Sequence, residues 1–159
     1  PQTRRTRKVV YNPLEATFGL NFLTEDHSGF GGYIHAHTWR YLGEQVALVP
    51  GFLRGTRPTF GGKNNWYPMI PWELRNVVIV EVTPKDSGHP YGKRRLYIDQ
   101  QLFAVLYALV YDHDGAHWRT LFHGFANPTF DPENADVGVP LIVGNIWIDY
   151  HTNNASIWI

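Results

Sequence analysis

At 159 residues, with hydrophobic side chains at 43% and charged ones at 18%, the chain is long enough for a substantial core and too apolar to be disordered. Its 14 basic and 14 acidic residues cancel, which leaves only a thin case for nucleic acid, and it has no cysteine, which excludes a disulfide framework and a thiolate metal centre. No apolar run reaches the ~18 residues of a membrane helix, while aromatic residues at 15% with 15 Gly and 11 Pro suit a β-rich chain with many turns.

In chain order, Arg4–Val10 reads as a strand with a charged face, ended by Asn12-Pro13. Arg4, Arg5, Arg7 and Lys8 crowd this start, whereas no Lys or Arg follows Arg119 and Asp131, Glu133, Asp136 and Asp149 make the end acidic. That asymmetry predicts either polar, head-to-tail contacts with a partner or a strand edge blunted by solvated charge. Leu14–Leu23 is ambiguous between one helical turn and loop, and Asp26–Gly32 is expected to be a loop. Tyr33–Val49 is strand-like. Period two places Tyr33, His35, His37, Trp39 and Tyr41 on one face, with a turn expected at Leu42–Gln45.

Gly51–Pro71 is a long irregular segment rich in aromatics. Such a loop is either pinned onto the body or lines a groove. Arg75–Thr83 is a clear strand, and Pro84–Gly92 is a hairpin-like loop. The stretch Gly92–Arg119 then reads as a β-meander. Arg94–Ile98 is a short strand, Asp99-Gln100-Gln101 a break, and Leu102–Tyr111 a run too apolar for a wet face. Asp112-His113-Asp114-Gly115 is a turn, and Ala116–Phe125 a strand. A helix competes for Leu102–Tyr111, but the alternation of small and large side chains and the flanking turns favour a strand. After a loop at Ala126–Pro140, Leu141–Tyr150 and Ala155–Ile159 complete about eight mostly antiparallel strands.

Chemistry-bearing patterns are sparse. His35 and His37 form an H-x-H pair that could hold zinc or copper with further ligands, but no spacing among the eight histidines matches a metal fingerprint. There is no G-x-S-x-G, no phosphate loop and no dinucleotide fingerprint. The reading is therefore no enzyme, no catalytic residue, no metal ligand set and no cofactor. What remains is aromatic surface. Tyr33, Trp39, Tyr41, Trp66, Trp72 and Trp118 are the candidates for an apolar ligand face on a curved sheet, against the plainer reading of a large core.

The run from His89 to Arg119 resembles the C-terminal half of domain-of-unknown-function family 1329, Gram-negative envelope proteins. His89, Tyr91, Lys93, Arg94, Tyr97, Asp99, Tyr111, Asp112, Gly115, Trp118 and Arg119 stand in the places of "H-x-Y-x-K-R-x-x-Y-[IL]-D … YD-x-x-G-x-x-WR". Val77–Lys85, Arg4–Asn12 and the segment from Asp26 through Gly29–Gly32, Trp39, Leu42, Gly43 and Pro50 are similar to further family segments. The resemblance runs to about Arg119. It implies a mainly β fold: a strongly curved antiparallel half-barrel of the lipoprotein-carrier (LolA/LolB-like) kind, with few or no long helices. It further implies that residues 1–159 form a single β-rich domain, the C-terminal part of a longer protein; opening on Pro1 with no leader pattern agrees with that. The shared motif is expected to be scaffold, with Arg94 and Arg119 pairing with Asp99 and Asp112. The implied function is a non-catalytic protein of the periplasm or outer membrane that binds a lipid, a lipidated segment or another apolar ligand. The alternative is an accessory subunit docking on a larger envelope assembly, and the second alternative a His-based metal protein. No nucleic-acid partner and no membrane span in this chain are expected.

Overall fold

The computed structural model describes residues 10–16, 20, 22–53, 58–126 and 140–159. The expected strand at Arg4–Val10 with its basic cluster lies, but for Val10, outside the described residues, as do Asp131, Glu133 and Asp136. The strands are β1 (His37–Pro50), β2 (Phe52–Leu53), β3 (Phe60–Gly61), β4 (Tyr67–Pro68), β5 (Trp72–Pro84), β6 (Lys93–Asp99), β7 (Val105–Tyr111), β8 (His117–Ala126), β9 (Leu141–Asp149) and β10 (Asn154–Trp158). The helical pieces among the described residues are short 3₁₀ segments, Thr24–Gly29, Ile34–Ala36 and Lys63–Asn65. The fold is thus mainly β.

One sheet runs β1-β5-β6-β7-β8-β9-β10 with antiparallel neighbours. It is strongly curved. β2 follows β1 by one residue yet pairs in parallel with β8, beyond β5, β6 and β7 in the strand order. That contact is limited to Phe52 opposite Phe125 and Leu53 opposite Ala126, so the sheet rolls without closing into a barrel.

Inside the roll, Ala47, Val49, Val77, Tyr97, Leu106 and Phe125 pack together. Tyr97 and Tyr107 stack at 4.0 Å between ring centroids, an arrangement that adds ~0.5–1.5 kcal/mol to the area buried. Phe60, Trp66 and Tyr67 lean on Phe122, Ile146 and Ile148, so residues 58–71 of the aromatic segment are pinned to the body. The opposite face buries Phe22, Val82, Tyr91, Leu96, Ala108, Val110, Leu121 and Trp147. There Phe22 stacks on Trp147 at 3.8 Å.

Four local expectations are corrected. Leu102–Ala104 belong to a turn rather than to β7, because the Asp99 side chain accepts the Gln101 and Leu102 N–H groups (2.8 Å each) and holds the chain in a loop. Leu42–Gln45 does not reverse the chain: β1 runs through it with a bulge between Tyr41 and Gly43, and Gly43 takes φ of 129° there. Tyr33 and His35 do not share a strand face with His37, since Ile34–Ala36 is a 3₁₀ turn. Asp26–Gly29 is a 3₁₀ segment rather than open loop, and it lies on the sheet. Gly29 is required at its end: φ is 87°, and a Cβ there would meet Val105 at 2.5 Å.

Candidate functional site

The register of the sheet builds the site. Trp39, Val82, Arg94, Val110, Arg119 and Asp149 are successive cross-strand partners from β1 to β9, so they form one rung on one face. The next rung is Tyr41, Val80, Leu96, Ala108, Leu121 and Trp147, almost wholly apolar. Two arginines on an apolar face need partners, since an isolated buried charge is prohibitive. Those of Arg94 come from the Thr24–Gly29 segment, laid across that face, and those of Arg119 from Asp149 on β9 and from Tyr91.

Arg94 donates to Asp26 Oδ1 (3.1 Å) and, through Nη2, to Glu25 Oε1. The Tyr91 hydroxyl donates to Asp26 Oδ2 (2.6 Å) and accepts from Arg119 Nη1 (2.6 Å). Arg119 Nε donates to Asp149 Oδ2 (2.9 Å), which also accepts from Trp118 Nε1 (3.1 Å). His89 Nε2 meets Glu25 Oε1 at 3.0 Å, and His89 Nδ1 accepts the Tyr91 N–H at 2.9 Å. The Arg94 guanidinium lies over Phe30 and Tyr91, and that of Arg119 over Trp118 at 4.4 Å. Glu25, Asp26, His89, Tyr91, Arg94, Arg119 and Asp149 are all buried.

Burial alone pushes the Glu25 carboxyl up; the His89 hydrogen bond and the Arg94 charge outweigh it and hold it below its ordinary value. Burial, with Asp26 adding to it, drives the Tyr91 hydroxyl well up, so it stays a donor. Burial likewise raises Asp149, but the Thr152 N–H and Arg119 bring it below the usual carboxylate range. These groups make a clamp. The Tyr91 hydroxyl is engaged on both sides, whereas Glu25 Oε2 is left without a hydrogen-bond partner.

Arg94 and Arg119 therefore do not pair with Asp99 and Asp112, as the meander suggested. Asp99 takes Arg75 instead, at 2.8 and 3.1 Å. Asp112 caps its own turn through the Ala116 N–H (2.8 Å). Sequence reasoning missed Glu25 and the role of Asp26. The available signal was two adjacent carboxylates just before a glycine cluster, in a chain whose apolar strands carry arginines.

The six aromatic candidates do not form one wall. Tyr33, Trp39 and Tyr41 lie exposed on the β1 side, with Trp39 edge-on to Phe30 at 4.9 Å and its Nε1 donating to the Ile34 carbonyl. Trp66 packs with Phe122, Ile146 and Ile148, and Trp72 meets Phe122 edge-on at 5.6 Å while donating to the Pro68 carbonyl. Trp118 is part of the clamp. An apolar recess between Pro58, Phe60, Pro68, Ile70, Gly124, Val143, Gly144 and Ile146 has a volume of only about 10 Å³. Larger recesses of about 310 and 330 Å³ share Asn76 and Gln100 at the foot of β5.

Open apolar surface lies instead on the β1–β5 ribbon. Tyr41 (63% exposed), Val46 (60%), Leu48 (58%) and Leu74 (72%) lie on the face that carries the clamp, with Leu48 and Leu74 directly paired. Beyond them, Phe103 (83% exposed) projects from the β6–β7 turn at a positive φ of 54°.

Comparison with known proteins gives a consistent fold. Residues 1–158 match the family described as Protein of unknown function (DUF1329). A DUF1329 family protein from Desulfovibrio piger superposes with a TM-score of 0.58 at 12% identity, over 99% of this chain and 52% of its own. A domain from Vibrio parahaemolyticus that carries the name of an outer membrane lipoprotein-sorting protein superposes with a TM-score of 0.55 at 15% identity, over 92% of this chain and 52% of its own. The chain thus spans about half the length of each of these structures. No protein of curated function matches.

Proposed function

This chain belongs to the DUF1329 family, and we propose that it is a non-catalytic protein of the Gram-negative envelope that holds a lipid, a lipidated segment or another apolar molecule against its curved sheet. The observation that carries this reading is the bare stripe of Tyr41, Val46, Leu48 and Leu74 on a face whose other end is covered by a docked segment. Soluble chains seldom leave such paired aliphatic residues open without a contact to make. The name carried by the Vibrio parahaemolyticus domain supports an envelope setting and an apolar cargo. The clamp supports a non-catalytic role, since protein partners engage both its guanidiniums and its tyrosine hydroxyl.

Native mass spectrometry of the protein from its source cells, before and after organic extraction, tests the proposal. Extra mass that solvent removes and that proves lipid-like supports it. Bare mass in a stable complex with another polypeptide overturns it in favour of a second reading. In that reading the chain is an accessory subunit whose long β1, paired on one side only among the described residues, accepts a strand from a partner.

A further inference from the structure

One contact in the clamp differs from all the others. Glu25 Oε2 and His37 Nε2 face each other at 3.8 Å, both buried and neither with a hydrogen-bond partner. The ring protons follow from the neighbours. His37 Nδ1 lies 3.0 Å from the Tyr33 carbonyl and must donate to it, so the neutral ring turns a lone pair toward Glu25. His89 Nδ1 accepts the Tyr91 N–H, so its proton sits on Nε2 and goes to Glu25 Oε1. The gap is therefore acceptor against acceptor, an arrangement that burial makes costly.

Charge points the same way. The buried carboxylates of Glu25, Asp26 and Asp149 face only the two guanidiniums of Arg94 and Arg119, which leaves one negative charge over while the histidines are neutral. The space is also kept clear: a Cβ at Gly32 would come within 2.8 Å of Glu25 Oε2.

We infer that Glu25 and His37 form a site for one divalent transition ion of the zinc class, bound through Oε2 and Nε2. This goes beyond the apolar-ligand reading and does not rest on it. Imidazole and carboxylate suit zinc. Ligating atoms of Glu25, His37 and His89 all lie within 4.8 Å of one another. The 3.8 Å gap needs only a small closure to reach the ~3.4 Å between two donors each ~2.1 Å from a tetrahedral ion. A metal-binding histidine typically donates its other N–H to a carbonyl, as His37 does to Tyr33. His89 is a positioning residue, fixing the carboxylate through the oxygen the ion does not use.

The test uses the whole chain, without a polyhistidine tag and stripped by chelator. Calorimetric titration with zinc chloride at pH 7.5 should show one site per chain. His37→Gln should weaken it at least ~10-fold, whereas His35→Gln, at an exposed ring, should leave it unchanged. Because His37→Gln can disturb the clamp, cobalt(II) added to the unaltered protein gives an independent reading: an intense visible band of four- or five-coordinate cobalt is expected. Weak multisite heat that survives His37→Gln, or cobalt that keeps its pale six-coordinate spectrum, would overturn the site. So would nitrogen NMR showing His37 protonated on both nitrogens at that pH, since a proton would then fill the gap.

Discussion

Around Arg94 the sheet face is covered by the Thr24–Gly29 segment, whose two carboxylates are held by charge pairs and hydrogen bonds to Arg94, Tyr91 and His89. Further along the same β1–β5 ribbon, at Leu48 and Leu74, that face is bare and aliphatic. A 3₁₀ segment of six residues has little stability of its own. It stays down because the Arg94 guanidinium, the Tyr91 hydroxyl and the His89 ring hold its two carboxylates. Cover at one end is thus bought with polar groups that cannot be removed singly, whereas the bare end has no such groups and stays free to touch something else.

The largest expected effect comes from removing the pairing at the covered end. Arg94→Met leaves Glu25 and Asp26 buried without their cation, and loss of one partner from a buried pair costs ~3–5 kcal/mol. The urea midpoint should fall by that amount with an unchanged slope. Adding Glu25→Gln and Asp26→Asn to Arg94→Met should recover part of the loss, because the stranded charges go with it. A loss below ~1 kcal/mol would place these pairs with ordinary surface pairs and dissolve the contrast between the two ends.

A second effect separates the ends by pH. His123 is fully buried, and burial drives its pKa down to about 4 despite the Asn145 hydrogen bond, with His27 lowering it further. The unfolded chain therefore binds a proton that the folded chain refuses between pH ~6.5 and about 4. Stability is fully present above ~6.5 and falls as pH drops through that window, by up to ~3 kcal/mol. Glu25 and Asp149, held below their ordinary values, add a further loss as pH falls below ~4.5. His123→Gln should flatten the slope between pH 6.5 and 4 and leave the more acidic limb in place.

Much of this architecture was legible in the sequence, and the limits are instructive. Turn chemistry at Asp112–Gly115 and the alternation along Val105–Tyr111 specified the meander, because those signals are local. The partners of Arg94 were not legible: Glu25 and Asp26 lie 69 and 68 residues away in sequence, and the nearer Asp99 offered itself as a plausible mate. Asp99 was instead taken by Arg75 and by its own turn, which also shortened β7. The bulge at Gly43 reads in sequence like a turn, since both call for glycine at positive φ. The aromatic candidates dispersed because period two fails once Ile34–Ala36 coils and once the loop bearing Trp66 packs on the other face.

A smaller effect concerns the bare end. Phe103 holds φ of 54° with its side chain 83% exposed. That left-handed conformation costs a bulky residue ~1–2 kcal/mol that glycine does not incur. Phe103→Gly should therefore raise the urea stability by ~1 kcal/mol. A gain marks a residue retained at some cost to folding, whereas no gain would mean that packing of the ring offsets the strain.

The smallest effect on folding is expected at Leu74, and it carries the comparison furthest. Leu74 is 72% exposed and paired with Leu48, so Leu74→Glu removes almost no buried area and should move stability by no more than ~0.5 kcal/mol. If the bare ribbon is the surface that receives an apolar ligand, the same substitution places a carboxylate beneath the bound chain. Titration with a fluorescent fatty acid should then show affinity falling at least ~10-fold, since desolvating one charge exceeds the ~1.4 kcal/mol that a tenfold change represents. Gln45→Glu, on the same ribbon but on the opposite face, should leave the affinity as it was. Unchanged affinity in Leu74→Glu would move the ligand off this ribbon. A stability loss of several kcal/mol would show that the residue is covered after all, and that the two ends of the face are finished alike.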